Sequence, residues 1–214
     1  MKRYFIVILL TAVLFVSFGT ALSAKDDAER IIGNVEKTLK KLKTVTFSFE
    51  QIIYQKVADR NIKRPGKLWL KEPHLIRLEG PAQQVVTDGR TVWMYIPRNK
   101  QVTVSTFIQG AGGFDTPWSL FEDSKSKNAE YLGSEKVSGE MCDILLMEST
   151  VQGGYPVKVW IERKRNIPVK TLEERENGDT NGYVLSDVVL NEKIDDDMFV
   201  FVTPEGVETI DLRE

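Results

Sequence analysis

Between Asp26 and Leu42 the apolar residues Ile31, Ile32, Val35, Leu39 and Leu42 recur at spacings of three and four, and lysines and acids fill the positions between them. A period near 3.6 predicts an amphipathic helix with a single apolar stripe, fit either to seal a core or to cover a lipid site. The period then changes: Val45, Phe47 and Phe49 alternate with Thr46, Ser48 and Glu50, which predicts a strand with one wet face.

Strand-like runs follow at short intervals over Lys67–Lys71, His74–Glu79, Gln84–Thr87, Thr91–Ile96 and Gln101–Thr106. Turn chemistry separates them at Pro73, Gly80-Pro81, Asp88-Gly89 and Pro97-Arg98-Asn99, and the Asp-Gly pair is a strong hairpin signal. The second half repeats the pattern over Tyr131–Lys136, Met141–Ser149, Val157–Glu162, Ile167–Glu174 and Tyr183–Leu190, with a last run at Phe199–Val202. Arg163-Lys164-Arg165-Asn166 reads as a solvated hairpin tip. Gly110–Phe114 reads as a loop without the lysine of a phosphate cradle, and Asp115–Phe121 as a short helix. The expected fold is mainly β with a few helices, an unclosed antiparallel barrel of about eleven strands, because a sheet of that size curls rather than staying flat.

Several strands are apolar on both faces: Leu68 and Leu70 alternate with Trp69, Val92 with Trp93, Met94 with Tyr95 and Val159 with Trp160. Both surfaces must be hidden at least locally, yet one long and one short helix offer little cover. Two outcomes stay open, a core at ordinary density or a cleft that an apolar ligand fills.

The 214 residues suit one domain; 42% are hydrophobic, 28% are charged and the net charge is −2, so a polyphosphate partner such as nucleic acid is not expected. Residues 1–24 open with Lys2 and Arg3, continue in an apolar run to Phe18 and end in small residues at Ala21, Ser23 and Ala24. This reads as a secretory signal peptide that leaves residues 25–214 as one soluble domain in the periplasm.

Catalytic chemistry is poorly supplied. His74 is the one imidazole and reads as structural, and Cys142, the one cysteine, reads as a small buried hydrophobe. Asp195-Asp196-Asp197 lacks the spaced oxygens of a calcium loop. Trp69, Trp93, Trp118 and Trp160 read as core. Neither an enzyme nor a cofactor or metal site is expected.

The run from Asp88 to Pro97, Asp-Gly-Arg-Thr-Val-Trp-Met-Tyr-Ile-Pro, followed by Gln101-Val102, resembles the central motif of the LolA family of periplasmic lipoprotein carriers. Phe49-Glu50-Gln51, Gly66-Lys67-Leu68-Trp69 with Pro73, and Thr116-Pro117 with Leu120 resemble further family elements in the same order. So does the tail, Asp195 through Phe199, Phe201, Pro204, Gly206 and Val207. The resemblance implies an unclosed barrel whose concave apolar face, lidded by helices, receives lipoprotein acyl chains. It implies an inner-membrane Lol ABC transporter as donor, an outer-membrane receptor as acceptor, and a monomeric carrier between them.

On that reading the cavity candidates are Phe47, Phe49, Leu68, Leu70, Ile76, Leu78, Val92, Met94 and Leu146; an error of one residue would exchange each for its neighbour. In the family a basic residue commonly precedes the proline of the second strand pair and helps hold the lid closed. Here that position is Glu72, which makes it the candidate for altered lid control, with Lys71 and Arg77 nearby. The alternative reading is a lipid- or lipoprotein-sensing regulatory module on the same fold. An outer-membrane acceptor would need a lipidated N-terminal cysteine that this sequence does not offer.

Overall fold

The computed structural model describes residues 19–108, 118–121, 128–148 and 154–213. Helix α1 spans Gly19–Leu39, and its stripe is buried as the spacing requires: Ala28, Ile31, Ile32 and Val35 are all less than 9% exposed. It stops before Leu42 because the N–H groups of Lys41 and Leu42 reach back only three residues, to the carbonyls of Thr38 and Leu39, tightening the last turn.

The strands are β1 (Thr44–Gln55), β2 (Arg60–Lys71), β3 (Leu75–Glu79), β4 (Gln84–Asp88), β5 (Thr91–Ile96), β6 (Gln101–Thr106), β7 (Ala129–Val137), β8 (Glu140–Met147), β9 (Val157–Glu162), β10 (Ile167–Glu174), β11 (Thr180–Leu190) and β12 (Glu208–Asp211). Among the described residues they form one unclosed sheet in the order β12-β6-β5-β4-β3-β2-β1-β11-β10-β9-β8-β7. Two meanders, β1–β6 and β7–β11, are therefore joined edge to edge where β1 pairs with β11. The Asp88-Gly89 turn closes β4 on β5: Gly89 takes φ +83°, and the Asp88 Oδ1 accepts the N–H groups of Arg90 and Thr91, each at 2.8 Å.

Three features depart from the sequence reading. The β1–β2 hairpin runs well past Glu50, through Ile52, Ile53 and Tyr54 to Gln55 and Arg60, because pairing to β11 on one side and β2 on the other holds a segment with no apolar alternation of its own. Of the short helix expected over Asp115–Phe121, the described part is a 3-10 turn at Ser119–Phe121; Thr116-Pro117, Gly110–Phe114 and leader residues 1–18 lie outside the described residues. The closing run at Phe199–Val202 is not a strand. A 3-10 turn spans Asp196–Phe199, the chain continues extended and unpaired, and the last strand, β12, is parallel to β6.

That unpaired tail explains strands apolar on both faces. Phe199 is buried, and Phe201 stacks on Trp93 at 6.3 Å and meets Tyr95 at 6.4 Å, so the tail covers one face of β3–β5, where Val86 is also buried, as is Val104 beside it on β6. The Phe199–Phe201 alternation reflects packing onto the sheet rather than membership of it. Lys71 Nζ donates to the Ile194 carbonyl at 2.9 Å and pairs with Asp196, and Arg77 Nη1 donates to the Met198 carbonyl at 3.1 Å, pinning the tail down.

Candidate lipid-binding face

On the face away from the tail, direct cross-strand partners line up in two rows. The first runs Phe47, Leu68, Leu78, Val85, Met94 across β1 to β5; the second runs Val45, Leu70, Ile76, Thr87, Val92. Partners in an antiparallel pair point to the same side, so the rows form a continuous apolar surface ending at Thr103 and Ser105 on β6. The same side continues the other way from Phe49 to Leu185, and from Gln51 through Tyr183, Thr171, Val159 and Leu145 to Tyr131. There α1 lies on it, packing Ile31, Ile32 and Val35 against Leu145, Met147, Val159 and Ile161.

Burial divides the surface. Val45, Phe47, Leu68, Val85 and Thr87 are buried, whereas Phe49, Leu70, Ile76, Leu78, Val92 and Met94 are only half-buried. Trp118 caps the buried part, 5.5 Å from the Phe47 ring, and its indole N–H donates to the Pro168 carbonyl at 3.2 Å. The half-buried residues therefore supply apolar area that the protein covers incompletely, which is the property an apolar ligand exploits. Beside Phe49, at the bulge between Thr46 and Ser48, a groove of about 690 Å³ is lined by Gly66, Leu185 and the more polar Glu50, Lys67 and Ser186.

Eight of the nine residues singled out in the sequence thus share one face, and Leu146 does not. It lies on the opposite face with Ile144 and Cys142, and the helix-side position in β8 belongs to Leu145. The sequence reading also passed over Val45, Val85 and Leu185, whereas Trp118 lies in the core as expected. The parity of Phe47 and Phe49 pointed to Val45, but no local signal distinguishes Val85 from Val86.

Glu72 is exposed in the β2–β3 turn, where its N–H donates to the Lys43 carbonyl at 2.8 Å and ties the turn to the end of the α1–β1 connection. Neither neighbouring cation replaces a lid-facing base, because Lys71 and Arg77 are both engaged with the tail on the other face. His74 is half-buried, its ring 5.4 Å from that of Phe107. Cys142 is fully buried, and desolvation pushes its thiol pKa up. The Arg163–Asn166 segment is a turn as expected, with Arg163 and Lys164 exposed; Arg163 also pairs with Asp143, and Arg165 with Glu162. Among the described residues no cluster of His, Cys, Asp or Glu could hold a metal, and no helix is long and apolar enough to cross a membrane.

An unclosed sheet with one apolar face part-covered by a helix and a Trp cap defines a container for apolar groups. The family model described as outer membrane lipoprotein carrier protein LolA matches residues 40–202, and the chain belongs to that family. It is 25% identical to the outer-membrane lipoprotein carrier protein of Histophilus somni over the full length of both chains. It is 29% identical to that of Pseudomonas paraeruginosa, with 91% of this chain and 93% of the relative covered. An uncharacterized conserved protein from Thermus thermophilus shares the fold at a TM-score of 0.59 and 13% identity, with 86% of this chain and 98% of that chain covered.

Proposed function

We propose that this protein carries lipoproteins across the periplasm, with their acyl chains held against the two apolar rows of β1–β5. The observation that carries the reading is the half-buried set Phe49, Leu70, Ile76, Leu78, Val92 and Met94 on a face whose centre is already packed. Each methylene removed from water contributes about 0.8 kcal/mol, so acyl chains need such a shield to cross an aqueous compartment. The work is binding, without bond-making chemistry. Lipoproteins are the cargo, as the relatives' name, outer-membrane lipoprotein carrier protein, supports; on this reading an inner-membrane Lol ABC transporter supplies them and an outer-membrane receptor takes them.

Export follows from the leader. Cleavage near Ala24 leaves the buried stripe intact, since it begins at Ala28, and places Asp26 and Asp27 in the new first turn of α1, where acids oppose the helix dipole favourably. Glu72 in place of the usual base weakens or rewires lid closure.

The test is to purify the exported protein and identify what accompanies it by mass spectrometry, then to compare Leu78→Asp and Met94→Asp with Leu146→Asp for uptake of a fluorescent fatty acid. Triacylated lipoproteins and loss of uptake in the first two variants alone are expected. A stoichiometric membrane regulator in place of lipid would favour the sensing module, and equal uptake by all three variants would remove the two rows as the site.

A further inference from the structure

The corner where α1 turns into β1 carries Lys37, Lys40, Lys41 and Lys43, all exposed and none in an ion pair among the described residues. The corner is tied in place. The Lys43 N–H donates to Asn191 Oδ1 at 2.8 Å, the Lys43 carbonyl accepts the Glu72 N–H at 2.8 Å, and Thr44 Oγ1 donates to the Glu192 carbonyl at 2.6 Å. Leu42 is buried between Lys41 and Lys43, which keeps both ammonium groups outside. One cation at the end of a helix answers its dipole; further like charges beside it repel one another, and no polar side-chain contact among the described residues uses them. The acids of the corner are Glu36, Glu72 and Glu192, which the lysines outnumber. Asp195 to Asp197 belong to the tail on the other face, where Lys193 and Lys71 pair with the first two.

These cations rim the end of the apolar rows. Lys43 stands two residues before Val45, which opens the second row, and Leu42 shares a packed cluster with Val45, with Leu39, Leu70 and Ile76 against it. Strands β1 to β6 alternate in direction, so the end of β6 lies at this same end of the sheet, and just beyond it Ile108 is 64% exposed. Positive charge and an exposed apolar side chain thus stand at the end where the rows open.

We propose that this rim rests on the surface of an anionic phospholipid bilayer, with the lysines among the lipid phosphates and the Val45 end of the rows toward the headgroups. The inference goes beyond the carrier reading and uses it only for purpose: acyl chains then enter and leave without crossing open water. Paired carboxylates on a protein are matched best by the fixed fork of arginine, whereas compact ammonium groups on flexible stems suit the mobile, spread charge of a lipid surface. With a net charge of −2 the chain as a whole has no attraction to such a surface, so the cluster also sets which side approaches.

The test is flotation of the exported protein with phosphatidylcholine vesicles that do or do not contain phosphatidylglycerol, over a range of salt. Binding about a hundredfold tighter to the anionic vesicles and weakening as salt rises is expected, each lysine near such a surface contributing about fivefold. Lys37→Gln, Lys40→Gln, Lys41→Gln and Lys43→Gln together should remove the preference and leave uptake of a fluorescent fatty acid in solution unchanged. The same charge removed at four exposed lysines elsewhere, by Lys56→Gln, Lys100→Gln, Lys136→Gln and Lys164→Gln, should leave the preference in place; thermal melts check both folds. A wild type with no preference, or equal loss in both variants, overturns the inference. Binding only to inner-membrane vesicles, abolished by protease treatment of those vesicles, would assign the rim to an acidic protein and overturn it likewise. Fatty-acid uptake by the wild type tests the carrier reading separately, so either can fail alone.

Discussion

The Phe49 ring lies across Gly66 on the neighbouring strand: a Cβ at residue 66 would come within 2.3 Å of Phe49 Cζ and 2.9 Å of the Glu79 carbonyl oxygen. Glycine is required here because β2 must admit an aromatic ring from β1 and backbone from β3 at once. Gly66→Ala is expected to cost about 1–3 kcal/mol, since the carbonyl cannot move aside as a side chain can. It should also swing Phe49 away from the groove it lines. Urea unfolding measures the first effect and fatty-acid uptake the second; unchanged stability would show that the contact relaxes freely.

Leu145 and Leu146 are neighbours with opposite assignments. Leu145 is fully buried beneath α1, so Leu145→Ala should cost about 2–5 kcal/mol. Leu146 is half-buried on the other face, and Leu146→Ala should cost about 1 kcal/mol. Paired denaturation curves decide the register: reversed magnitudes would mean that β8 is shifted by one residue.

The tail is held by Lys71 and Arg77 as well as by its phenylalanines. Lys71→Met with Arg77→Met keeps the apolar stems and removes the donors to Ile194 and Met198. Amide exchange over residues 194–201 should then rise about tenfold while β1 and β11 stay protected, as expected of a locally opening segment.

Cys142 should be inert to thiol reagents in the native protein, because it is buried and its pKa is raised, so that little thiolate forms near neutral pH. Its labelling rate should follow global unfolding. Rapid labelling without denaturant would place the β8 face in contact with solvent.

Asp211 is held down at a pKa of about 2 by hydrogen bonds from the Arg213 side chain and backbone. A depressed carboxylate contributes stability above its ordinary pKa and loses that contribution as pH falls toward 2. The pair is fully exposed, so the visible effect is the titration itself. Arg213→Ala should return Asp211 toward its ordinary value by NMR, with little change in the unfolding midpoint at pH 7.

Much of this molecule was written in residue order. The stripe Ile31, Ile32 and Val35 marks α1, the Asp88-Gly89 pair marks a hairpin, and the run Asp88–Pro97 carries the family resemblance, because helix period, turn chemistry and local motif depend on near neighbours alone. The parity of Phe47, Leu68 and Met94 likewise places eight candidates on one face once the strands are paired. Tertiary structure alone decided that Leu145 rather than Leu146 faces α1, since β8 is apolar at both parities and only the packed helix distinguishes them. It alone decided that Phe199 and Phe201 cover the far face instead of forming a strand, and that Lys43 and Asn191, 148 positions apart, meet at one corner. Such contacts are set by which surfaces find each other across the sheet, and no local period records them.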